Sequence, residues 1–285
     1  MILSTDSTAN LPKEMYKELN ISMIPMQIIL NGEVYDDLSE SLQPKEYYQK
    51  MREGAVPKTA QINEENARVY FEKLLESGED VLHISFSSAL SGTTPSMIRL
   101  ATELNEKHSN KLVVIDSLNA AMGEGLLVLY AYDLIQENKS IEEVAKAVTK
   151  MRPNVCSFFT VEQLKYLVRG GRLGKFSGIV GSLLNIKPVL RVDDEGHLVS
   201  YKKVISRKKS IAELANICAN KIADTKRVFI CHADCVNEAN ELKAMLTTTL
   251  GISACVTDIT QVIGCHTGPG LLAVFFITND NKNNA

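Results

Sequence analysis

Short β-branched runs alternate with amphipathic stretches through the first half of the chain. "MILSTD" reads as a strand ending in an Asp-Ser turn, and Pro12 then suits the first turn of a helix over "KEMYKELN". "ISMIPMQIIL" is a second extended run, and Asn31-Gly32 after it is a hairpin signal. "PKEYYQKMREG" and "EENARVYFEKLLESG" carry helical periodicity; Asn63 is placed to cap the second and Gly78 to stop it. The strand "DVLHISF", a polar loop, a helix from about Ser96 and the strand "LVVID" follow. "GEGLLVLYAYDLIQEN" and "SIEEVAKAVTKM" then read as consecutive helices.

Past Pro153 the pattern changes. "VCSFFT" leads into "VEQLKYLVRGGRLGKFSGIVGSLLNIKP", a helix broken by a Gly-Gly pair and then a second helix. "VLRV" and "LVSYKKV" pair around an Asp-Glu-Gly turn. The remainder alternates again: a helix, "RVFICHA", another helix, "SACVTDI", the glycine-rich loop "GCHTGPG" and the apolar run "LLAVFFI". Strands separated by helices predict α/β layers with ligands held at strand ends. The change near Met151–Val155 predicts an N-terminal α/β lobe, residues 1–155, and a C-terminal α/β lobe, residues 156–285. No low-complexity linker separates them, so the two should pack tightly as one module.

Composition removes several classes. A chain of 285 residues with net charge -3 lacks the strongly basic domain expected of a nucleic-acid binder. "MILSTDSTANLP" is not a signal peptide, and "GLLVLYA" and "GLLAVFFI" are too short to span a bilayer. The expectation is a cytoplasmic protein whose 6 cysteines are reduced. "CHADC" (Cys231, His232, Cys235) offers three metal-capable side chains, but a structural zinc site needs four and no second knuckle accompanies it. Strand-end side chains are the better reading, and neither metal nor cofactor is expected.

Three polar segments follow strands, where function gathers in α/β proteins. "KTAQI" holds Thr59 in a connection before a capped helix. "SSALSGTTPS" holds Ser91 and Gly92, and "GCHTGPG" holds His266. Hydroxyls beside an imidazole fit two chemistries. In one, Ser91 is a nucleophile activated by His266, although "LSG" is not a hydrolase elbow and no aspartate is marked as the third member. In the other, hydroxyls, backbone N–H groups and the imidazole hold an anion without reacting. Spacing alone leaves both open.

Seven motifs in order are similar to those of a known family: "STDST" at the start, "TAQ" at Thr59, "SSALSGT" at Ser87–Thr93, "VIDS" at Val114–Ser117, "YLVRGGRL" at Tyr166–Leu173, "LLNIKPVL" at Leu183–Leu190 and "HTGPG" at His266–Gly270. Over nearly its whole length the chain resembles the DegV family, whose better-understood members are the FakB fatty acid-binding proteins. The resemblance implies a two-lobed α/β fold, with a parallel sheet in the N-terminal lobe, a mixed sheet in the C-terminal lobe and a fatty acid buried between or beneath them. It assigns the acyl carboxylate to Thr59 and Ser91, with the Gly92 N–H, His266 and Arg172 in the supporting network. One departure is Ala60, where the family commonly has serine; it removes a hydroxyl.

Such proteins are not themselves catalysts. The resemblance implies that the bound acid is presented to a separate FakA-type kinase, and that the acyl phosphate feeds phospholipid synthesis. "FSGIVGSLLNI" suits a tunnel wall. A Ser/His acyl hydrolase, or a carrier of another amphiphilic carboxylate, is the alternative. From Thr160 to Ser210 there are 11 Lys and Arg, Lys175 among them, against 4 acidic residues. That surplus suits docking on a kinase or transient contact with an anionic membrane, with Lys202, Lys203 and Arg207 first and Arg169 after them.

Overall fold

The structure, a computed structural model, describes residues 1–173 and 187–282. Lys175, "FSGIVGSLLNI" and the second helix expected there lie outside the described residues. β1 (Ile2–Asp6) is followed by α1 (Lys13–Glu18), with Pro12 at its N-cap, and β2 (Ser22–Ile24). Asn31 and Gly32 close the predicted hairpin of β3 (Gln27–Leu30) and β4 (Glu33–Asp36), both at the positive φ (54° and 89°) that a tight hairpin turn demands. α2 (Pro44–Arg52) leads to β5 (Lys58–Ala60). α3 (Glu64–Leu75) begins at Asn63, whose Oδ1 accepts the Asn66 N–H at 3.1 Å. β6 (Val81–Ser85), α4 (Thr93–Lys107), β7 (Leu112–Asp116), α5 (Met122–Gln136) and α6 (Ile141–Met151) complete this half.

The second half runs β8 (Val155–Thr160), α7 (Lys165–Arg169), β9 (Val189–Val192), β10 (Leu198–Lys202) and α8 (Arg207–Lys221). β11 (Phe229–His232), α9 (Val236–Leu250), β12 (Cys255–Asp258), α10 (Gln261–Thr267) and β13 (Leu272–Ile277) follow. Three sheets result. One is parallel, in the order β2-β1-β6-β7; a small antiparallel one runs β4-β3-β5; the third is mixed, in the order β10-β9-β8-β13-β11-β12. In the mixed sheet only β11 and β12 are parallel, because β13 lies antiparallel between β8 and β11.

Between the parallel and mixed sheets runs α5, packed on β1 and β6 on one side and on β8 and β13 on the other. Its residues from Met122 to Leu129 are all buried, as expected of a helix that is apolar on every side. One hydrophobic core therefore passes from Leu3 through α5 to Phe275, while a second fills the far side of the mixed sheet under α8 and α9. Asn10 ties the halves together through its polar ends: Nδ2 donates to the Asp258 carbonyl at 3.0 Å and Oδ1 accepts the Thr260 N–H at 2.7 Å.

Three expectations need correction. The helix placed from about Ser96 starts at Thr93, because the Ser91 hydroxyl accepts the Thr93 N–H (3.2 Å) and caps that turn. Thr59 lies in β5 rather than in an irregular connection, since Ile28 of β3 pairs with it. His266 is in the last turn of α10, not in a loop; only Gly268 onward leaves the helix, at φ 78°.

Candidate functional site

The opening segment "STDST" is the frame of the site. Asp6, at the end of β1, accepts the Phe86 N–H (3.0 Å), the Ser85 hydroxyl (3.2 Å) and the Thr8 hydroxyl, which pins the first residues of the Ser91 segment. Ser7 donates to Asp37 Oδ2 at 2.8 Å, and Asp37 Oδ1 accepts the Val262 N–H of α10 at 3.3 Å. Two neighbouring residues thus hold the two elements that carry Ser91 and His266. Burial pushes the Asp6 and Glu124 carboxyls up, and raises Asp37 to about 7.

These elements surround a cavity of about 220 Å³. At its polar end the structure brings together all five residues expected there: Thr59, Ser91, Gly92, Arg172 and His266. Thr59 Oγ1 and His266 Nε2 are 2.8 Å apart. Arg172 is fixed by backbone oxygens, its Nε donating to Leu90 at 3.1 Å and its Nη1 to Gly170 at 2.5 Å. Burial, and then the Arg172 charge, lower the His266 pKa to about 4, so the ring is neutral at physiological pH. Its Nδ1 is buried without a partner among the described residues. Gln61 was missed by the sequence reading; it lines the same end, and a methyl on Gly92 would overlap its Oε1. The only signal for it was its place in "TAQ".

Apart from Thr267 and Ser157, the rest of the wall is apolar, supplied by Met26, Phe86, Phe159, Val192, Leu198 and Phe275 among others. Alternate residues of β8 and β13 face it, while Cys156, Phe158, Val274 and Phe276 face the second core.

The geometry argues against the serine nucleophile. Ser91 Oγ donates to Thr93 Oγ1 at 3.1 Å rather than to His266, whose Nε2 is engaged by Thr59. A ring that titrates near 4 is also a weak base for a serine hydroxyl at neutral pH. What this end can do is hold an anion with several donors while an apolar group fills the remainder.

The four residues expected to dock a partner are differently placed. Lys202 pairs with Glu213 at 2.8 Å, and Arg207 holds Glu238 through Nε (3.1 Å) and Nη2 (2.5 Å). Lys203 is exposed, and exposed Arg169 has its guanidinium 5.2 Å from the centre of the Tyr166 ring. The basic surplus of the sequence is therefore partly neutralised on the folded surface. Among the described residues no helix is long and apolar enough to cross a membrane.

Fold and site together define an α/β protein with an apolar chamber between two sheets and a polar end built from hydroxyls, a neutral imidazole and an arginine. The chain belongs to the DegV family, whose model, described as "Uncharacterised protein, DegV family", matches residues 2–279. A DegV domain-containing protein of Clostridium perfringens is 39% identical over 281 residues, covering 97% of each chain. Among solved structures, a DegV family protein from Thermus thermophilus described by its fatty acid binding is 30% identical, with a TM-score of 0.87 over 97% of this chain and 99% of that one. DegV of Bacillus subtilis, described as a fatty acid binding protein, is also 30% identical, with a TM-score of 0.83 over 98% and 99%.

Proposed function

We propose that this protein binds a long-chain fatty acid, with its tail in the chamber and its carboxylate among Thr59, Ser91, the Gly92 N–H, His266 and Arg172. The observation that carries this reading is the division of one cavity into an apolar wall and a polar end that holds a half-buried, neutral histidine and an arginine. The description of the Thermus thermophilus and Bacillus subtilis relatives as fatty acid-binding supports it. A chain of about fifteen methylenes gains roughly 0.8 kcal/mol for each one buried, on the order of 12 kcal/mol before the costs of association. The tail supplies affinity and the head group supplies orientation.

In this reading the protein is a carrier in the cytoplasm rather than an enzyme. It presents the carboxylate to a separate FakA-type kinase, and the acyl phosphate enters phospholipid synthesis. Exposed Arg169 and Lys203 are the first candidates for the kinase or an anionic membrane surface, with Lys202 and Arg207 contributing through their ion pairs.

The test is to denature the purified protein and identify the released lipid by mass spectrometry. Near-stoichiometric fatty acid that survives dialysis is expected. Folded protein that carries no lipid and takes up no added fatty acid would overturn the proposal, and another amphiphilic carboxylate in its place would redirect it.

A further inference from the structure

The chamber wall has one polar interruption away from its polar end. Ser157 of β8 lines the cavity, and the strand register sets its depth. Leu271, the residue before β13, is on the wall; within β13, Ala273 pairs with Phe159 and Phe275 pairs with Ser157. Three extended steps separate Leu272 from Phe275, so Ser157 lies about 10 Å further along the sheet than the start of β13. It is flanked by the rings of Phe159 and Phe275.

Behind it stands Asn119, fully buried in the turn between β7 and α5. Asn119 Oδ1 accepts both the Ala120 N–H (3.1 Å) and the Ser157 hydroxyl (2.6 Å). The backbone donor fixes which end of the amide is oxygen, because the amide nitrogen would offer the Ala120 N–H nothing to bond. Asn119 Nδ2 then has no acceptor among the described residues, although it is buried. Ser157 Oγ spends its one hydrogen-bond donor on Asn119 Oδ1 and keeps its capacity to accept. The turn that presents them is itself unusual: Leu118 and Ala121 both have positive φ (47° and 52°), and Ala121 also lines the chamber.

The Nδ2 of Asn119, one hydrogen bond behind the wall and without an acceptor among the described residues, and the lone pairs of Ser157 Oγ on the wall together complement a group that both accepts and donates. A methylene does neither, a ketone only accepts, and a second carboxylate would bring an unpaired charge into an apolar wall. A hydroxyl does both. We propose that Ser157 and Asn119 form a subsite that selects long-chain acids bearing a hydroxyl group partway along the chain. This rests on the fatty acid reading above, and it goes further by naming the substituent.

The test compares stearic acid with stearic acids hydroxylated near mid-chain, each competing against a fluorescent fatty acid for lipid-free wild-type protein and for Ser157→Ala. Wild type should bind a mid-chain hydroxystearate at least as tightly as stearate. In Ser157→Ala the ratio should move toward stearate by roughly five- to a hundredfold, as expected when a hydroxyl is buried without its partner. Ser157→Cys, which keeps the volume and weakens the acceptor, should move it in the same direction and stands in if the alanine variant does not fold. A ratio that stays the same in the variants, or a wild type that rejects every hydroxystearate, overturns the inference and leaves Ser157 and Asn119 as a core pair bridged by water. Loss of binding for both acids by wild type is a different outcome; it removes the fatty acid reading itself.

Discussion

His266 enters the polar end without a charge, and that sets what a bound anion does to it. An arriving carboxylate favours the protonated ring, so the pKa should rise from about 4 when ligand binds. Histidine NMR titrations of lipid-free and loaded protein would show this, and identical curves would place the carboxylate elsewhere. Thr59→Val and Ser91→Ala each remove one donor, which costs roughly 1.5–3 kcal/mol when the acceptor is charged. Fatty acid affinity should fall accordingly in competition assays, and Tm of the lipid-free protein should fall modestly as well, since Ser91 also accepts the Thr93 N–H and Thr59 bonds His266. Asp37 makes a prediction of opposite kind. Its pKa rises from 3.8 to about 7 on folding, so the folded state keeps a proton that the unfolded chain releases between those values. Its contribution to stability is complete below pH 3.8 and is lost as pH rises through 7. In Asp37→Asn that slope disappears, so urea midpoints of variant and wild type should diverge progressively across this window. Parallel curves would mean that Asp37 ionises freely.

At the scale of elements, the position of His266 depends on how α10 is seated. Gly264 lies against Tyr48, and a methyl there would overlap the phenol. Gly264→Ala should cost about 1–3 kcal/mol through overpacking. Because His266 is only two residues further along the same helix, fatty acid retention should fall as well; unchanged Tm and retention would show that the helix shifts freely. This element was hidden in the sequence. "QVIGCHT" has three β-branched residues and a glycine, and no side chain caps its start, so its helicity comes from packing on α7 and β3 and from the Asp37 bond. β5 was equally hidden, since three residues carry no periodicity and only pairing with β3 makes them a strand. Elements with their own signals were readable: the Asn31-Gly32 hairpin, the helix capped by Asn63 and the apolar strands β6 and β13. Ordered motifs also made Thr59, Ser91, Arg172 and His266 legible as candidates. Asn119 and Ser157 were not, because nothing in "DSLNAA" or "VCSFFT" says that the two segments meet across α5.

For the whole molecule, the consequence of α5 is mechanical unity. A core shared by the parallel and mixed sheets leaves residues 1–155 no interior of their own, and it leaves the C-terminal half, which keeps the second core under α8 and α9, with the other face of its sheet uncovered. Residues 1–155 and 156–285 expressed separately should therefore be insoluble or molten, and the intact chain should unfold in one denaturant transition by both fluorescence and circular dichroism. Two resolved transitions would show that the halves are independent. The mixed sheet adds something else. Its central strands spell two messages at once, one on odd-numbered positions such as 157, 159, 273 and 275, the other on their even-numbered neighbours. Substitutions in the first set alter the shape offered to a guest; those in the second alter only how firmly α8 and α9 are held. Descendants of such a chain can change diet without renegotiating their architecture, provided that no single residue is inserted into β8 or β13 to exchange the two sets.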